Sequence, residues 1–239
     1  MLTNLVERFP LLQGMLDFVF PPLCAGCRVY SESPDGLCQK CLDAIDWFDS
    51  PTYLYPERAD LAAGGADVDS EIVAFPVYAA GNYTGPLREV VLNLKFHGVF
   101  KPAGLMARRV AETFGAKLSE FGATALVPVP LHPGREYGRG YNQAAIFTSR
   151  LSEALGLPVH DDLLVRTAKR RPQSRLNELE RAANIRGVFE VVEREGDERP
   201  TLFLVDDVVT SGATILEARR TLVAAGYPVA AAIAIARAL

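Results

Sequence analysis

The sequence predicts an α/β fold, in which a mainly parallel sheet is flanked by helices and preceded by a small four-cysteine module. Short apolar segments alternate with longer segments of helical periodicity, and this order is typical of parallel strands joined by helical crossovers. The four cysteines of the chain all lie near its N-terminus, as Cys24, Cys27, Cys38 and Cys41. We therefore expect a small cysteine module next to a larger α/β unit.

Length and composition are those of a globular protein that can build a substantial core. The chain has 239 residues, of which 49% are hydrophobic and 23% are charged. No run of 18 apolar residues exists, and Gln13 and Asp17 interrupt the apolar N-terminal stretch, so we expect neither a membrane span nor a signal peptide. Residues 1–20 instead predict a short amphipathic helix, and we expect a cytoplasmic protein without stable membrane insertion.

Charge is distributed unevenly along the chain, whose net charge is −4. Residues 1–84 carry a net charge of −8, residues 85–187 of +7 and residues 188–239 of −3. The overall negative charge argues against a protein that coats nucleic acid generically. The basic middle segment suits a polyanionic ligand, either a pyrophosphate or a nucleic acid strand, with solvated surface charge as the alternative.

The two CxxC sequences predict a structural zinc site. Cys24 and Cys27 form one pair, Cys38 and Cys41 form the other, and each pair can chelate one edge of a tetrahedron. Two disulfides are the alternative, but the chain shows no secretion signal, which favours zinc. Four thiolate ligands leave no open coordination position, so the metal would have a structural role rather than a catalytic one.

The sequence divides into an N-terminal module, a linker and an α/β domain. The module covers residues 1–48 and combines the predicted helix with the cysteines. Residues 49–70 are acidic, contain proline and glycine and lack apolar periodicity, so they predict a linker. The domain covers residues 71–239.

The predicted elements of this domain alternate along the chain. Apolar patterns predict strands at residues 72–78, 125–130, 163–166, 188–192, 201–205 and 229–236. Helical spacing predicts helices at residues 87–94, 105–118 and 143–155, and one more after the fifth strand. Glycine-rich or basic loops follow three of the strands, at residues 131–143, 167–175 and 206–214. Since parallel strands end at one edge of a sheet, we expect these three loops to meet there.

Residues 201–215 form the strongest candidate site, with the sequence TLFLVDDVVTSGATI. The strand is predicted to stop at Asp206 and Asp207, and a loop of small and hydroxylated residues then enters a helix. A helix N-terminus favours an anion, Gly212 lets the backbone approach it and the hydroxyl groups can donate hydrogen bonds, so the pattern predicts a phosphate site. A simple helix cap is the alternative. The two acids would face sugar hydroxyls or a phosphate-bound metal.

The sequence VDDVVTSGAT resembles the phosphoribosyl pyrophosphate (PRPP) motif of type I phosphoribosyltransferases. This resemblance implies that Asp206 and Asp207 hold the ribose hydroxyls. It also implies that the following loop binds the 5′-phosphate through Val209, Thr210, Ser211, Gly212, Ala213 and Thr214. No Gly-Lys-Ser/Thr sequence follows the loop, so it differs from the P-loop of proteins that bind nucleoside triphosphates.

The order of motifs along the chain is identified as that of the ComF family. The motifs are the four cysteines, LKFHG at residues 94–98, PVPLHPGREYGRGYNQ at 128–143, RPQSRL at 171–176, NIRGVF at 184–189 and the PRPP loop. The resemblance implies a type I phosphoribosyltransferase fold with an N-terminal zinc finger similar to a double zinc ribbon, structural Zn²⁺, and Mg²⁺ bound with PRPP. It assigns the pyrophosphate to Lys95, Arg135 and Arg139, and a mobile loop to Arg171, Gln173 and Arg175.

Three functional hypotheses follow from these motifs. The first is a ComF-family protein that binds PRPP and acts with other transformation proteins in the uptake or use of DNA during natural transformation. The second is a catalytically silent PRPP-binding scaffold that binds single-stranded DNA through the basic segment, where Tyr137 and Tyr141 lie among arginines. The third is an active transferase that moves phosphoribose from PRPP to an unidentified nucleobase in salvage. Asp206, Asp207 and Thr210 suit all three.

Overall fold

The structure is a computed structural model that describes residues 21–55, 74–131, 133–167, 187–192 and 199–239. The predicted helix in residues 1–20 and the predicted mobile loop with Arg171, Gln173 and Arg175 lie outside the described residues. The backbone of Arg135 is described, but its side chain is not.

Helices and strands are interspersed through the described residues. The helices are α1 (Gln39–Asp43), α2 (Gly85–Phe96), α3 (Lys101–Ser119), α4 (Pro133–Arg139), α5 (Gln143–Leu155) and α6 (Ala213–Ala224). The strands are β1 (Thr52–Leu54), β2 (Phe75–Asn82), β3 (Ala125–Pro128), β4 (Leu164–Arg166), β5 (Phe189–Val191), β6 (Leu202–Val209) and β7 (Val229–Arg237). A membrane-spanning helix is not found among these described elements.

Local sequence signals set the ends of these helices. Pro86 and Pro102 lie in the first turns of α2 and α3, where a missing backbone N–H removes no helical hydrogen bond. Asn142 caps α5, because its side chain accepts a hydrogen bond from the backbone N–H of Ala144 at 3.0 Å. Gly156 ends the same helix in the left-handed conformation, with φ +70°.

Five strands form the main sheet, in the order β1-β2-β7-β6-β3. β2, β7, β6 and β3 run parallel, and the edge strand β1 is antiparallel to β2. Helices α2, α3 and α5 cover one face, where Phe203 and Val205 lie, and α6 covers the other, where Leu202 and Leu204 lie. Burial on both faces explains why β6 begins as a continuous apolar run. The predicted α/β fold class is confirmed.

β6 extends beyond the end predicted from its sequence. The apolar run suggests a strand that stops before Asp206, but backbone pairing with β7 continues through the acidic residues to Val209, which lies opposite Arg237. Pairing depends on backbone groups rather than on apolar side chains, so the acids do not end the strand. Asp206 and Asp207 therefore lie within β6, and the loop begins at Thr210.

Two other expectations are corrected by the pairing of the described residues. β4 is a strand, as predicted, but it pairs antiparallel with β5 in a separate two-stranded sheet. The loop after residue 166 therefore does not leave the main sheet, because an apolar pattern identifies a strand without specifying its partner. The glycine-rich segment 131–143, predicted as a loop, contains helix α4, whose first residue is Pro133.

The cysteine module packs directly on the main sheet and its helices. Cys24, Leu37 and Ile45 share one buried core with Leu87 and Leu94 of α2. A module of this size buries little surface by itself, so the contact with α2 supplies much of its core.

Two further contacts join the module to the rest of the fold. Asn93 of α2 donates a buried hydrogen bond to the carbonyl oxygen of Ala25 at 2.7 Å. The segment predicted as a linker at residues 49–70 includes β1, which pairs with β2 and so belongs to the sheet. The cysteine module and the sheet are thus connected by a paired strand as well as by the shared core.

Candidate functional site

The carboxyl end of β6 carries the two acids predicted to hold a ribose. Asp207 Oδ1 lies 3.0 Å from Lys95 Nζ in the last turn of α2, and both side chains are largely buried. Asp206 Oδ1 accepts a hydrogen bond from the backbone N–H of Asp207 at 2.8 Å. The structure thus brings three predicted site residues together from two distant segments, and it gives one of the acids a cationic partner.

The electrostatics of this pair favour a neutral form of Asp206. Burial raises the pKa of Asp206, and the negative charge of Asp207 raises it further, to about 8. The backbone N–H of Asp207 and the charges of Lys95 and Arg166 oppose this shift without cancelling it. Asp206 is therefore mostly protonated at neutral pH, and Lys95 balances the charge of Asp207. Consequently, the acid pair repels a neighbouring anion far less than two free carboxylates would.

The raised pKa predicts a pH-dependent stability that Asp206→Asn should remove. An unfolded aspartic acid has a pKa of about 3.9, so the folded protein retains a proton that the unfolded chain releases between about pH 4 and pH 8. The contribution of Asp206 to stability is complete below pH 4 and is lost as the pH rises to 8, with a slope of up to about 1.4 kcal/mol per pH unit. Urea denaturation of both proteins from pH 5 to pH 9 measures it. Parallel pH profiles for the variant and the wild type would contradict this prediction.

The loop after β6 has a backbone that requires glycine at one position. Gly212 lies directly before α6 with φ +82°, in the left-handed region. A Cβ added there would lie 2.9 Å from Cγ of Leu54, a buried side chain of β1. Thr210 and Ser211 are exposed, and the Ser211 hydroxyl accepts a hydrogen bond from Ala213 N–H at 3.5 Å. The N-terminus of α6 thus opens at the same sheet edge as the two acids, as an anion site requires.

Gly212→Ala should destabilise the protein more than Gly226→Ala. Both glycines have a left-handed φ, +82° and +87°, so each substitution pays a backbone penalty of about 1–2 kcal/mol. An added Cβ at Gly226 meets nothing within 4 Å, whereas at Gly212 it overlaps Leu54 and adds about 1–3 kcal/mol of overpacking. Urea denaturation measures the difference. Equal losses of unfolding free energy in the two variants would mean that Leu54 moves aside at no cost in stability and does not shape the loop.

Arg139 lies on the aromatic ring next to Lys95. Its guanidinium carbon is 4.9 Å from the centre of the Phe96 ring, in a cation–π contact. Its Nη1 also donates a hydrogen bond to Oε1 of the buried Gln143 at 3.0 Å. Two predicted pyrophosphate contacts, Lys95 and Arg139, are therefore carried by segments that touch each other.

Tyr141 fastens the segment after β3 to the end of α2. Its hydroxyl donates to the carbonyl oxygen of Leu94 at 2.8 Å and accepts from the backbone N–H of Gly98 at 3.1 Å. Its ring packs edge-on against Phe100, with 4.9 Å between the ring centres. Tyr141 is thus a structural cap rather than a free aromatic surface, whereas Tyr137 is 95% exposed.

The four cysteines form a metal centre of the predicted kind. Their sulfur atoms all lie within 4.8 Å of one another, and Cys27 Sγ is 3.7 Å from Cys38 Sγ. A tetrahedron with Zn–S bonds of 2.3 Å has edges of about 3.8 Å, so this spacing fits zinc. The backbone N–H groups of Gly26 and Cys38 point at Cys24 Sγ, at 3.4 and 3.3 Å. Burial acts to raise the pKa of Cys24, but these donors outweigh it and lower the pKa to about 6, which favours the metal-binding thiolate.

Several residues that shape the site were not predicted. Phe96 supports Arg139, Leu54 restricts Gly212, and Arg237 donates hydrogen bonds to the backbone at the end of β6. Arg237, a cation that ends the apolar strand β7, is the only one of these with a sequence signal, because parallel strands end at the same edge. The other contacts join segments whose proximity no local pattern encodes.

Comparisons with known proteins match both parts of the chain. A sequence profile of the double zinc ribbon domain matches residues 15–52. Competence protein F of Haemophilus influenzae is 30% identical over 209 residues, which cover 83% of this chain and 90% of that protein. The DNA utilization protein YhgH of Salmonella typhimurium is 26% identical over 223 residues, covering 86% and 92%. Competence protein ComFC of Bacillus subtilis is 30% identical over 144 residues, covering 60% and 56%. The ribbon match agrees with the four-thiolate centre.

Proposed function

The chain belongs to the ComF family, the family of competence protein F, and on this premise we propose that it binds PRPP and acts in the uptake or use of DNA during natural transformation. The names of its relatives, competence protein F and DNA utilization protein, support the role in DNA handling. The acid pair, its lysine and the loop after them support the ligand. Free thiols at a metal centre suit a reducing compartment, so we propose that the protein acts in the cytoplasm.

The observation that carries the proposed ligand is the Lys95–Asp207 ion pair beside Asp206, near the end of the strand β6, which is followed by a loop that enters a helix. In the proposed complex the ribose hydroxyls donate hydrogen bonds to the two acids. The 5′-phosphate accepts hydrogen bonds from the N–H groups of residues 210–214 and from their hydroxyls, close to the positive end of α6. Each part of the ligand then meets a group of matching chemistry.

The pyrophosphate is assigned to the cations near the end of α2. When Asp207 accepts a ribose hydroxyl, Lys95 needs a new anionic partner, and a pyrophosphate oxygen supplies it. Arg139 stacks on Phe96, the residue after Lys95, and keeps donors for a second oxygen. Mg²⁺ would enter bound to the pyrophosphate, where it lowers the negative charge of the leaving group.

Calorimetric titration of the zinc-loaded protein with PRPP and Mg²⁺ tests the ligand, and undetectable binding would refute it.

A second assay separates an enzyme from a binding scaffold. Pyrophosphate release is measured with PRPP, Mg²⁺ and a panel of nucleobases, with and without single-stranded DNA. Turnover with any acceptor identifies a transferase, whereas tight PRPP binding without turnover supports the silent scaffold.

A specific surface favours single-stranded DNA as a second ligand of the same protein. Phe96, Phe100 and Tyr137 are large aromatic side chains with exposed fractions of 62%, 40% and 95%, and we call them, with Arg139, the aromatic surface. Exposed rings beside a cation match the way in which proteins stack bases and neutralise the backbone of a single strand. The surface lies in the basic segment 85–187, which carries a net charge of +7.

Binding of a fluorescent oligothymidine tests the aromatic surface. Replacing Phe96 and Tyr137 together with alanine should lower the affinity at least about 10-fold, because stacking contributes about 1–3 kcal/mol per base. The matched control is Tyr53→Ala with Tyr55→Ala. These two exposed tyrosines lie in and directly after β1, the edge strand at the other end of the sheet from β3. Equal losses in the two double variants, or none in either, would remove this surface as the DNA site.

A further inference from the structure

Arg237 is the last residue of β7, and its side chain binds the backbone at the start of the proposed phosphate loop. Its Nη1 donates to the carbonyl oxygens of Val209 at 3.0 Å, of Thr210, and of Ala238 at 2.7 Å. The position follows from the sheet, because parallel pairing sets Arg237 opposite Val209. The guanidinium is partly buried, and this burial lowers the pKa of Arg237.

The hydrogen bonds of Arg237 also help to decide where two N–H groups point. A peptide group is planar and trans, so its C=O and the N–H of the next residue point in opposite directions. Arg237 holds the carbonyl of Thr210, and it shares the carbonyl of Val209 with the backbone N–H of Ala238, which donates at 3.0 Å, so the N–H groups of Ser211 and Thr210 are directed to the other side. Thr210 and Ser211 are exposed, so a ligand can reach this part of the loop.

The charge of Arg237 acts in the same direction. Carbonyl oxygens at the end of a strand carry partial negative charge and would repel a phosphate bound next to them. A guanidinium that hydrogen-bonds to both oxygens offsets this repulsion and places a positive charge behind the loop. Geometry and charge therefore both favour an anion on the side of the loop away from Arg237.

We propose that Arg237 is a positioning residue that turns the backbone N–H groups of Thr210 and Ser211 toward the phosphate of a phosphorylated sugar. It acts through the loop and does not itself touch the ligand. The inference rests on the proposed function for the identity of the ligand, because the 5′-phosphate of PRPP is the group that the loop would bind. The restraint on the loop is a property of the ligand-free protein and can be measured without any ligand.

Two measurements on zinc-loaded, full-length protein test this role. Backbone ¹⁵N order parameters of residues 210–214 should fall in Arg237→Met, from about 0.85 toward about 0.6 or lower, while those of residues 202–205 stay unchanged. Calorimetric titrations with ribose 5-phosphate and with inorganic pyrophosphate then separate the two ends of the site. Arg237→Met should weaken ribose 5-phosphate at least about 10-fold and leave pyrophosphate within about twofold, a split that general loss of structure would not give.

Two variants serve as controls. Arg109→Met removes another partly buried arginine, one that stacks on Trp47 at 5.4 Å, and should change neither measurement. Arg237→Lys keeps the charge, and because Arg237 donates to these carbonyls through the single atom Nη1, an ammonium group can replace part of the contacts from a shorter side chain, so it should restore part of the affinity for ribose 5-phosphate. If Arg237→Met does not fold, Arg237→Lys is measured in its place, and partial loss is expected.

The possible outcomes distinguish the inference from the proposed function. If the wild type binds neither PRPP nor ribose 5-phosphate, the proposed function fails, and the order parameters of residues 210–214 still test the restraint by Arg237. If the wild type binds and the Arg237 variants bind equally well, the positioning role is overturned. Unchanged order parameters in residues 210–214, or equal weakening of both ligands, overturn it as well.

Discussion

Replacing Asp206 and Asp207 together with asparagine is expected to lower the affinity for PRPP at least about 30-fold, while the chain remains folded. The Asp207 carboxylate would accept a charge-assisted hydrogen bond from a ribose hydroxyl, which contributes about 1.5–3 kcal/mol, and the protonated Asp206 would accept a neutral one, which contributes about 0.5–1.5 kcal/mol. Together they correspond to a loss of about 2–4.5 kcal/mol, which is a factor of about 30 to 2,000 in affinity. Calorimetric titration with PRPP and Mg²⁺ measures the loss.

The double replacement keeps the shape of both side chains, so a folding defect should not obscure the result. Circular dichroism and the melting temperature verify folding. Asp206→Asn should even stabilise the protein above neutral pH, because asparagine stays neutral where the buried Asp206, with its raised pKa, begins to carry a negative charge. A matched control replaces Asp161 and Asp162, a second pair of adjacent exposed acids, with asparagine. If this control weakens PRPP binding as much, the effect is one of net charge and the ribose assignment is wrong.

The single variants add information about Lys95. Asp207→Asn removes the partner that lies 3.0 Å from Lys95 Nζ, so the ammonium group no longer has to leave an ion pair in order to bind the pyrophosphate of PRPP. Its effect on PRPP affinity should therefore be smaller than that of the double variant, because a stronger pyrophosphate contact compensates in part. Adding Lys95→Met to Asp207→Asn should remove this compensation. The loss of binding free energy in this double variant should therefore differ from the sum of the losses in the two single variants.

The features that the sequence predicted correctly depend on information contained within short segments. An apolar run followed by Asp206 and Asp207 and by small residues is a local pattern, and so are the four cysteines at CxxC spacing. The strand, the loop and the following helix all occur in the predicted order, although the strand continues through both acids to Val209. The sulfur atoms also come together, because each CxxC turn brings its own two thiolates close and only one approach of the two turns is then needed.

The features that the sequence could not predict depend on contacts between distant segments. The ion pair of Asp207 with Lys95 requires the end of α2 to reach the end of β6. The close approach of Leu54 to Gly212 arises because a segment that reads as a linker pairs with β2. β4 shows the same limit, since its apolar pattern specifies a strand but leaves its partner, β5, undetermined.

Cys38→Ser is expected to lower the melting temperature of the whole described fold by more than about 10 °C, rather than to unfold a separate module. Zinc binding to four thiolates supplies folding free energy, so the loss amounts to several kcal/mol, and each kcal/mol shifts the melting temperature by about 2–4 °C at this chain length. The loss should reach the sheet because Cys24 and Cys41 belong to the same core as Leu87 and Leu94. Zinc content and a thermal melt measure both effects.

The form of the transition distinguishes a shared core from two independent units. We expect one cooperative transition with zinc and one, at lower temperature, after chelation, because Asn93 of α2 bonds to Ala25 and Phe48 N–H bonds to Ala80 O of β2. Lys40→Ala, an exposed position between two of the ligands, should change neither zinc content nor melting. A chelated protein that keeps an unchanged high-temperature transition would contradict the shared core. Helix α2, which packs on the cysteine module, also carries Lys95. Chelation of the zinc should therefore weaken PRPP binding through this helix, although the zinc itself does not contact PRPP in the proposed complex.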